Sequence, residues 1–470
     1  MQNILCSLTI LALLVGGPLT ESVSAGDTEA TVFPSKEELL EEAKDILARV
    51  VYLRKLDFTK PPEIQVIDRE KLHEVLKCDF ERETPPEQLE AIQKSLAKLG
   101  FIPEDYSLKE ALLEILAENV GGAYDPRSKV LYLVNRWSLP VQRFIIAHEG
   151  THLLQDHHHD IISMPISDKH NDDLALVARS VLEGDAVLLS TKYLEMLPLL
   201  KRIGVLGRVA AEGYFGAGSI TGMSPSLKNA PDYIRDQLLF PYFKGAMLVT
   251  LCHTLDEWKG VERMYSDPPL STEQIMHPMK FIGRRDDPVL IGLPDLSAKL
   301  TGWSLLTHNC AGEFGIDSLL KSHLTRNTEN LAAIYAQLEQ ASAGWDGDRY
   351  QLYEHKESGR LAVAWFTTWD SARDAEEFAN SYAKLVDTRY AKSIEKGMHQ
   401  TTTKDHRERR ISKWLLKENG QVIVIRSSRD VLVVDGFSVS EGSKAVDALL
   451  DGVRRSPVVW SAPTTEVSGP

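Results

Sequence analysis

Cysteine is scarce in this chain: four in 470 residues. One of them, Cys6, stands inside an apolar run at the amino terminus. The other three, Cys78, Cys252 and Cys310, are an odd, sparse set that excludes a disulfide framework and allows at most one bridge within the chain. They are not spaced as zinc ligands, so a metal site has to be built from histidine and carboxylate. Positive charge is also short. With 53 Lys and Arg against 67 Asp and Glu the net charge is −14, and the pI near 5.5 argues against nucleic acid and against anionic membrane surfaces as partners. Past the amino terminus no apolar run is long enough for a membrane span, because Leu238 to Leu251 is broken by Pro241 and Lys244. No internal repeat is visible. Hydrophobic residues are plentiful, at 43%. They can fill a large core, and the length suggests two domains.

The amino terminus speaks to compartment. Ile4 to Gly17 is apolar but short for a span, and Pro18 and then the small residues Val23-Ser24-Ala25 follow it. The preceding Met1-Gln2-Asn3 has no Lys or Arg, and no cysteine stands at the cleavage site. We read residues 1–25 as a secretory signal and expect an exported, soluble mature chain with no membrane span.

Most of the chemistry is concentrated in His148-Glu149-Gly150-Thr151-His152. On a helix this H-E-x-x-H sets two imidazoles one turn apart on one face, with a carboxylate beside them. Only about 0.03 chance copies are expected in a chain of this length. The flanks are apolar (Ile146, Ala147, Leu153, Leu154), as a buried metal helix requires. The bland alternative is an amphipathic helix carrying two satisfied histidines. A catalytic zinc needs a third protein ligand. Glu183 is the best candidate, since it sits in a run (Leu174, Leu176, Val177, Val181, Leu182, Val187, Leu188) where a carboxylate is costly unless paired or metal-bound. Gly184 beside it would let another backbone approach, as two crossing metal helices demand. Asp185 and Asp156 could fix the tautomer of a ligand imidazole, although helix-end charge or solvation explains them equally well.

His148 to Asp160 (HEGTHLLQDHHHD) and Leu182 to Ala186 (LEGDA) resemble a largely uncharacterised bacterial family of exported zinc metallopeptidases of the gluzincin type. Leu53 to Pro61, Gly121 to Leu133, Tyr242 to Gly245, Pro268 to Pro278, Gly344 to Tyr350 and Trp365 to Asp370 are further matching pieces, so the resemblance spans about residues 43 to 450. It implies zinc held by His148, His152 and Glu183, with Glu149 as the base, in the periplasm or outside the cell. The chain departs from the pattern at His157, His158 and His159, which could bind a second metal or form a solvated helix end.

From these parts we expect a zinc metallopeptidase. Zinc held by two neutral imidazoles and a carboxylate lowers the pKa of its bound water, and Glu149 takes the proton and returns it to the leaving amine. A donor for the oxyanion is also needed. His277 and Tyr242 rank first, ahead of His253, Tyr193 and His170. Yet Ser271 to Gln274 reads as a capping box opening a short helix, and His277 would suit the end of that helix. Two other classes stay open: a zinc hydrolase of a non-peptide amide, and a zinc-stabilised binding protein without turnover. Against the second, a structural site is normally closed by four ligands and needs no base.

The expected fold is α+β. A mainly helical, zincin-like catalytic domain with a small strand layer covers residues 26–285. An α+β domain follows over 286–460, and a disordered tail over 461–470. The stretch from Ser35 to Leu116 reads as helical, and so does most of 141–275. Ala123 to Ser128 reads as a turn leading into a strand, Lys129 to Asn135, whose edge could pair with an extended substrate. Leu361–Thr367, Ile411–Leu416, Gln421–Arg426 and Val431–Val434 read as further strands, with Asn419-Gly420 as a hairpin turn, and Ser371–Val386 and Glu441–Val453 as helices. Gly344 to Asp348 reads as a plain or calcium-type turn.

Overall fold

The structure is a computed structural model and describes residues 11–14, 33–199, 201–202, 224–325, 330–394, 403–404, 409–417 and 420–460. The expected cleavage site at Val23 to Ala25, Asn419 of the hairpin turn and the tail from Ser461 lie outside these residues, as does most of the apolar run Ile4 to Gly17.

The fold is α+β. A short strand β1 (Leu11–Leu14) comes first, within the run read as a signal. Next comes α1 (Lys36–Arg54), opened by a complete capping box of Ser35 and Glu38. A strand β2 (Glu63–Ile67) and the helices α2 (Arg69–Glu83), α3 (Pro86–Leu99) and α4 (Leu108–Asn119) lead to β3 (Val120–Asp125) and β4 (Val130–Val134). These strands form one sheet in the order β1-β3-β4-β2. The reading of Ser35–Leu116 as helices punctuated at Pro61-Pro62, Pro85-Pro86 and Pro103 is corrected by a strand, β2, which follows Pro61-Pro62 and pairs in parallel with β4. Ala123 to Asp125 are strand, not turn. The strand at 130–134 is internal, between β3 and β2, and on its other side β3 pairs antiparallel with β1, which is the edge strand.

Two long helices follow, α5 (Leu139–His159) and α6 (Asp172–Glu195). Then come α7 (Pro225–Asn229), α8 (Asp232–Phe240) and α9 (Ala246–Ser266). The expected break at Pro241 and Lys244 does not occur. Pro241–Gly245 form a π-helical turn that carries α8 into α9. A widened turn gives the proline ring room, and its missing N–H costs little there. The continuous path Asp232–Ser266 is long and apolar enough to cross a membrane by length and composition. It bends at Asp256 and Glu257, both non-helical, and packs its buried face against α6.

The rest comprises α10 (Thr272–Met276), α11 (Met279–Ile282), β5 (Val289–Gly292), β6 (Trp303–Asn309), α12 (Gly312–Leu324), α13 (Leu331–Ser342), β7 (Trp345–His355), β8 (Leu361–Trp369) and α14 (Ala372–Arg389). The last elements are β9 (Thr403–Lys404), β10 (Arg410–Leu415), β11 (Gln421–Ser427), β12 (Asp430–Asp435), α15 (Val439–Gly452) and β13 (Arg454–Pro457). The large sheet runs β6-β7-β8-β12-β11-β10-β9, every neighbouring pair antiparallel. All the strands and helices expected here are present. The Gly344 to Asp348 turn is corrected: only Gly344 keeps a turn conformation, at φ +76°, and β7 starts at Trp345. Asp348 has its acceptor positions filled from within the chain. It accepts from the backbone N–H groups of Ala311 and Gly312, from the Cys310 thiol and from the indoles of Trp345 and Trp365, which satisfies a buried carboxylate without a cation.

The largest apolar cluster includes Leu72 and Leu116 as well as Val249, Trp365 and Val433, so the helical and sheet-bearing regions share one core. Cys78, Cys252 and Cys310 are all free thiols.

Candidate metal centre

Between Gln142 and Asp156 every residue of α5 except Arg143 is buried. A helix buried on all sides sits in the middle of a core, and α1, α6 and β3 surround this one. Glycine permits the closest contacts. A Cβ on Gly150 would stand 2.4 Å from Leu47 Cδ2 of α1. One on Gly122 of β3 would stand 2.6 Å from Ile145 Cγ2 and 3.3 Å from Glu149 Cγ. The strand therefore passes directly against the carboxylate after the first histidine.

On this helix His148 and His152 face Glu183 of α6, and all three are buried. His148 Nε2 is 3.0 Å from Glu183 Oε2, His152 Nε2 is 3.4 Å from the same oxygen, and the two Nε2 atoms are 3.2 Å apart. Ligands about 2.0–2.1 Å from a tetrahedral zinc lie about 3.3 Å from one another, so the triangle already has the size of one face of such a site. The group can hold a metal ion.

Without a metal these groups share a proton. Burial opposes charge on both rings, and His148 is pushed down and stays neutral. At His152 the Glu183 carboxylate outweighs burial and pushes the ring up to about 9. Burial would raise Glu183, but His152 and both hydrogen bonds bring it down to about 2. A metal taking the three atoms must displace that proton.

The neighbours differ from expectation. Gly184 does allow a close backbone approach, but to Gly245 of the π turn, whose carbonyl group would lie 2.7 Å from an added Cβ, and not to the other metal helix. Neither Asp156 nor Asp185 touches a ligand imidazole. Asp156 accepts from Tyr124 Oη at 2.6 Å, Lys129 Nζ at 2.7 Å and the Ile161 N–H, and so ties the β3–β4 hairpin to α5. Gln155 takes the place expected of an aspartate: His152 Nδ1 lies 2.9 Å from its Oε1. Sequence reasoning missed it, although its i+3 spacing from His152 puts both on one helical face.

Of the two leading oxyanion candidates, Tyr242 lies beside the centre, its ring stacked on His148 with centroids 6.2 Å apart. His277 pairs instead with Glu313 at 2.8 Å, a hydrogen bond that holds its pKa above the ordinary value. His253 packs on Trp258, His170 on His308, and Tyr193 in the core beside α5. The three histidines ending α5 do not gather around a second metal. His157 Nδ1 accepts from the Thr59 N–H, His158 meets Asp57 O, and His159 stacks on Tyr265 and pairs with Glu262.

Residues 304–447 match the model of a family described as a domain of unknown function, DUF8575. The match covers the large sheet and its helices and excludes the metal centre. No curated protein and no solved structure matches the chain.

Proposed function

We propose that this chain is an exported zinc peptidase in which His148, His152 and Glu183 hold the metal and Glu149 is the general base. The observation that carries the reading is the open triangle of three ligand atoms, 3.0 to 3.4 Å apart, with a further buried carboxylate next in sequence to one ligand. A structural zinc is normally closed by four protein ligands. Among the described residues only these three converge, which favours catalysis over a stabilised binding protein. Zinc bound there supplies a Lewis acid that polarises the scissile carbonyl and makes a water acidic near neutral pH.

The remaining work falls to the chain's own groups. Glu149 accepts the proton of the attacking water and passes it to the departing amine. Tyr242, on the π turn with its ring stacked on His148, is the expected donor assigned to the developing negative charge. The choice of peptide over another amide rests on β3. Its outer edge already accepts an extended segment antiparallel, with Ala12 opposite Ala123 and Leu11 opposite Tyr124, and Gly122 of the same strand lies against Glu149. A peptide paired there recognises the site through its backbone and passes over the base.

The test is Glu149→Gln, which keeps volume and leaves the three ligands untouched. Zinc content should match wild type, and hydrolysis of a peptide that wild type cleaves should fall at least ~10²-fold, the lower end for loss of a positioned general base. Wild-type turnover by this variant would refute the mechanism. Cleavage of non-peptide amides in preference to peptides would redirect the substrate class.

A further inference from the structure

The Gln155 amide can be oriented from its neighbours alone. One end lies 2.9 Å from the Leu182 carbonyl oxygen and 3.3 Å from Asp185 Oδ2. A carbonyl and a carboxylate only accept hydrogen bonds, so this end is the NH2 group. The other end, 2.9 Å from His152 Nδ1, is the amide oxygen, which has no proton to give. Nδ1 of His152 therefore carries the hydrogen. In the neutral ring the lone pair then sits on Nε2, the nitrogen that faces His148 Nε2 and Glu183 Oε2.

We propose that Gln155 is a positioning residue of the metal centre. It locks His152 in the Nδ1–H form with the Nε2 lone pair toward the metal, and Asp185 orients Gln155 in turn. The inference rests on the metal-centre reading but not on hydrolysis. Asp185 is well placed to act as the anchor. Its Oδ2 accepts from Arg54 of α1 at 3.2 Å and Tyr265 of α9 at 2.8 Å besides Gln155 of α5. Arg54 also reaches Glu262 at 2.6 Å and lies over the Trp258 ring at 4.6 Å. The negative charge of Asp185 is thus balanced by Arg54 at the same oxygen that accepts from Gln155, and what reaches His152 is a neutral amide dipole. The two ligand imidazoles are not equivalent. The His148 Nδ1 atom is buried and has no hydrogen-bond partner among the described residues, so His152 is the ring whose tautomer the protein sets.

Two substitutions separate this role from simple bridging of α5 and α6. Gln155→Met fills the space but offers His152 no acceptor. Zinc affinity of the mature chain, measured by chelator competition, should fall 10- to 100-fold, the range seen when an outer-shell partner of a ligand histidine is lost. Gln155→Glu keeps an acceptor for Nδ1–H and loses the donor to Leu182 and Asp185. It should bind zinc within about threefold of wild type, short of the 10-fold loss that marks a missing outer-shell partner, even though the metal-free protein melts at a lower temperature. In zinc-loaded protein labelled with 15N-histidine, His152 should carry its proton on Nδ1 both in wild type and in Gln155→Glu. Unchanged affinity in Gln155→Met, equal losses in the two variants, or His152 bound through Nδ1 would each overturn the proposal. All these readouts concern metal binding, so a wild type that holds zinc and cleaves no peptide counts against the proposed function alone.

Discussion

His308 shows how a histidine outside the metal centre is kept neutral. On β6 its ring packs against that of His170, centroids 4.4 Å apart. Burial pushes it down to about 4, and the charges of Arg349 and His170 add to the effect. In the unfolded chain the ring titrates near 6.5. Below that pH the unfolded state binds a proton the native state refuses, so this stability is complete above about 6.5 and is lost as pH falls toward 4. Denaturant titrations at pH 7.5 and pH 5 should therefore find His308→Gln more costly at the higher pH, and equal cost at both would mean that the ring is solvated in the folded protein. The three residues that can hold a metal, His148, His152 and Glu183, were legible one by one because their chemistry restricts them. Two imidazoles at i and i+4 and a carboxylate inside an apolar run have few other uses. Gln155 was not legible, since a neutral amide gives no sign in sequence of what it faces. The role imagined for Asp185 depended on which helix would cross behind it, and that is a tertiary fact.

At the scale of elements, local signals served well where they were strong. Ser35 and Ser438 cap α1 and α15, and the β-branched runs Val422 to Ile425 and Val431 to Val434 mark β11 and β12. They failed where a buried polar partner replaces the usual pattern. β7 begins with Trp345-Asp346-Gly347-Asp348, which resembles a turn until the donors gathered on Asp348 are counted as its satisfaction. The π turn at Pro241–Gly245 was read as a break, yet it is the element that brings Tyr242 over His148. Its seat is a glycine pair. An added Cβ on Gly184 would meet Gly245 C and O and Val249 Cγ2 at 2.7 Å, and backbone atoms cannot swing aside as a flexible side chain does. Gly184→Ala should therefore lower stability by roughly 1–3 kcal/mol, the usual cost of overpacking. It should also weaken peptide hydrolysis more than zinc binding, because it moves the turn that carries Tyr242. At Gly292 the nearest atom to an added Cβ is 3.7 Å away, so Gly292→Ala is the control, expected within about 0.5 kcal/mol of wild type. If the two variants melt alike, the close approach of α6 and the π turn is not what holds Tyr242 in place.

Across the whole molecule, the sheet-bearing region is built onto the metal helix. Asn309, at the end of β6, exchanges hydrogen bonds with Asp172 in the first turn of α6 at 2.8 and 3.0 Å. The Phe314 N–H of α12 donates to the Thr272 hydroxyl, and Thr272 donates in turn to Asp173 through its backbone N–H and that hydroxyl. The region therefore helps set where Glu183 lies, although none of its described residues joins the His148, His152 and Glu183 group. On the other side of the centre, β1 occupies the edge of β3 that the proposed substrate would use, while Glu149 is fully buried. If export removes residues 1–25, that edge is freed. A tethered segment competes with substrate at an effective concentration on the order of millimolar, so a chain that keeps residues 1–25 should hydrolyse peptides at least tenfold more slowly than one beginning at Gly26. Zinc contents of the two should be equal, since β1 supplies no ligand. Ala12→Pro in the longer chain removes a backbone donor from the middle of β1 and should restore much of the lost rate. Equal rates for the long and short chains would show that peptides do not pair with β3. A slow long chain that Ala12→Pro failed to relieve would place the obstruction in the amino-terminal segment but not in its pairing with that strand.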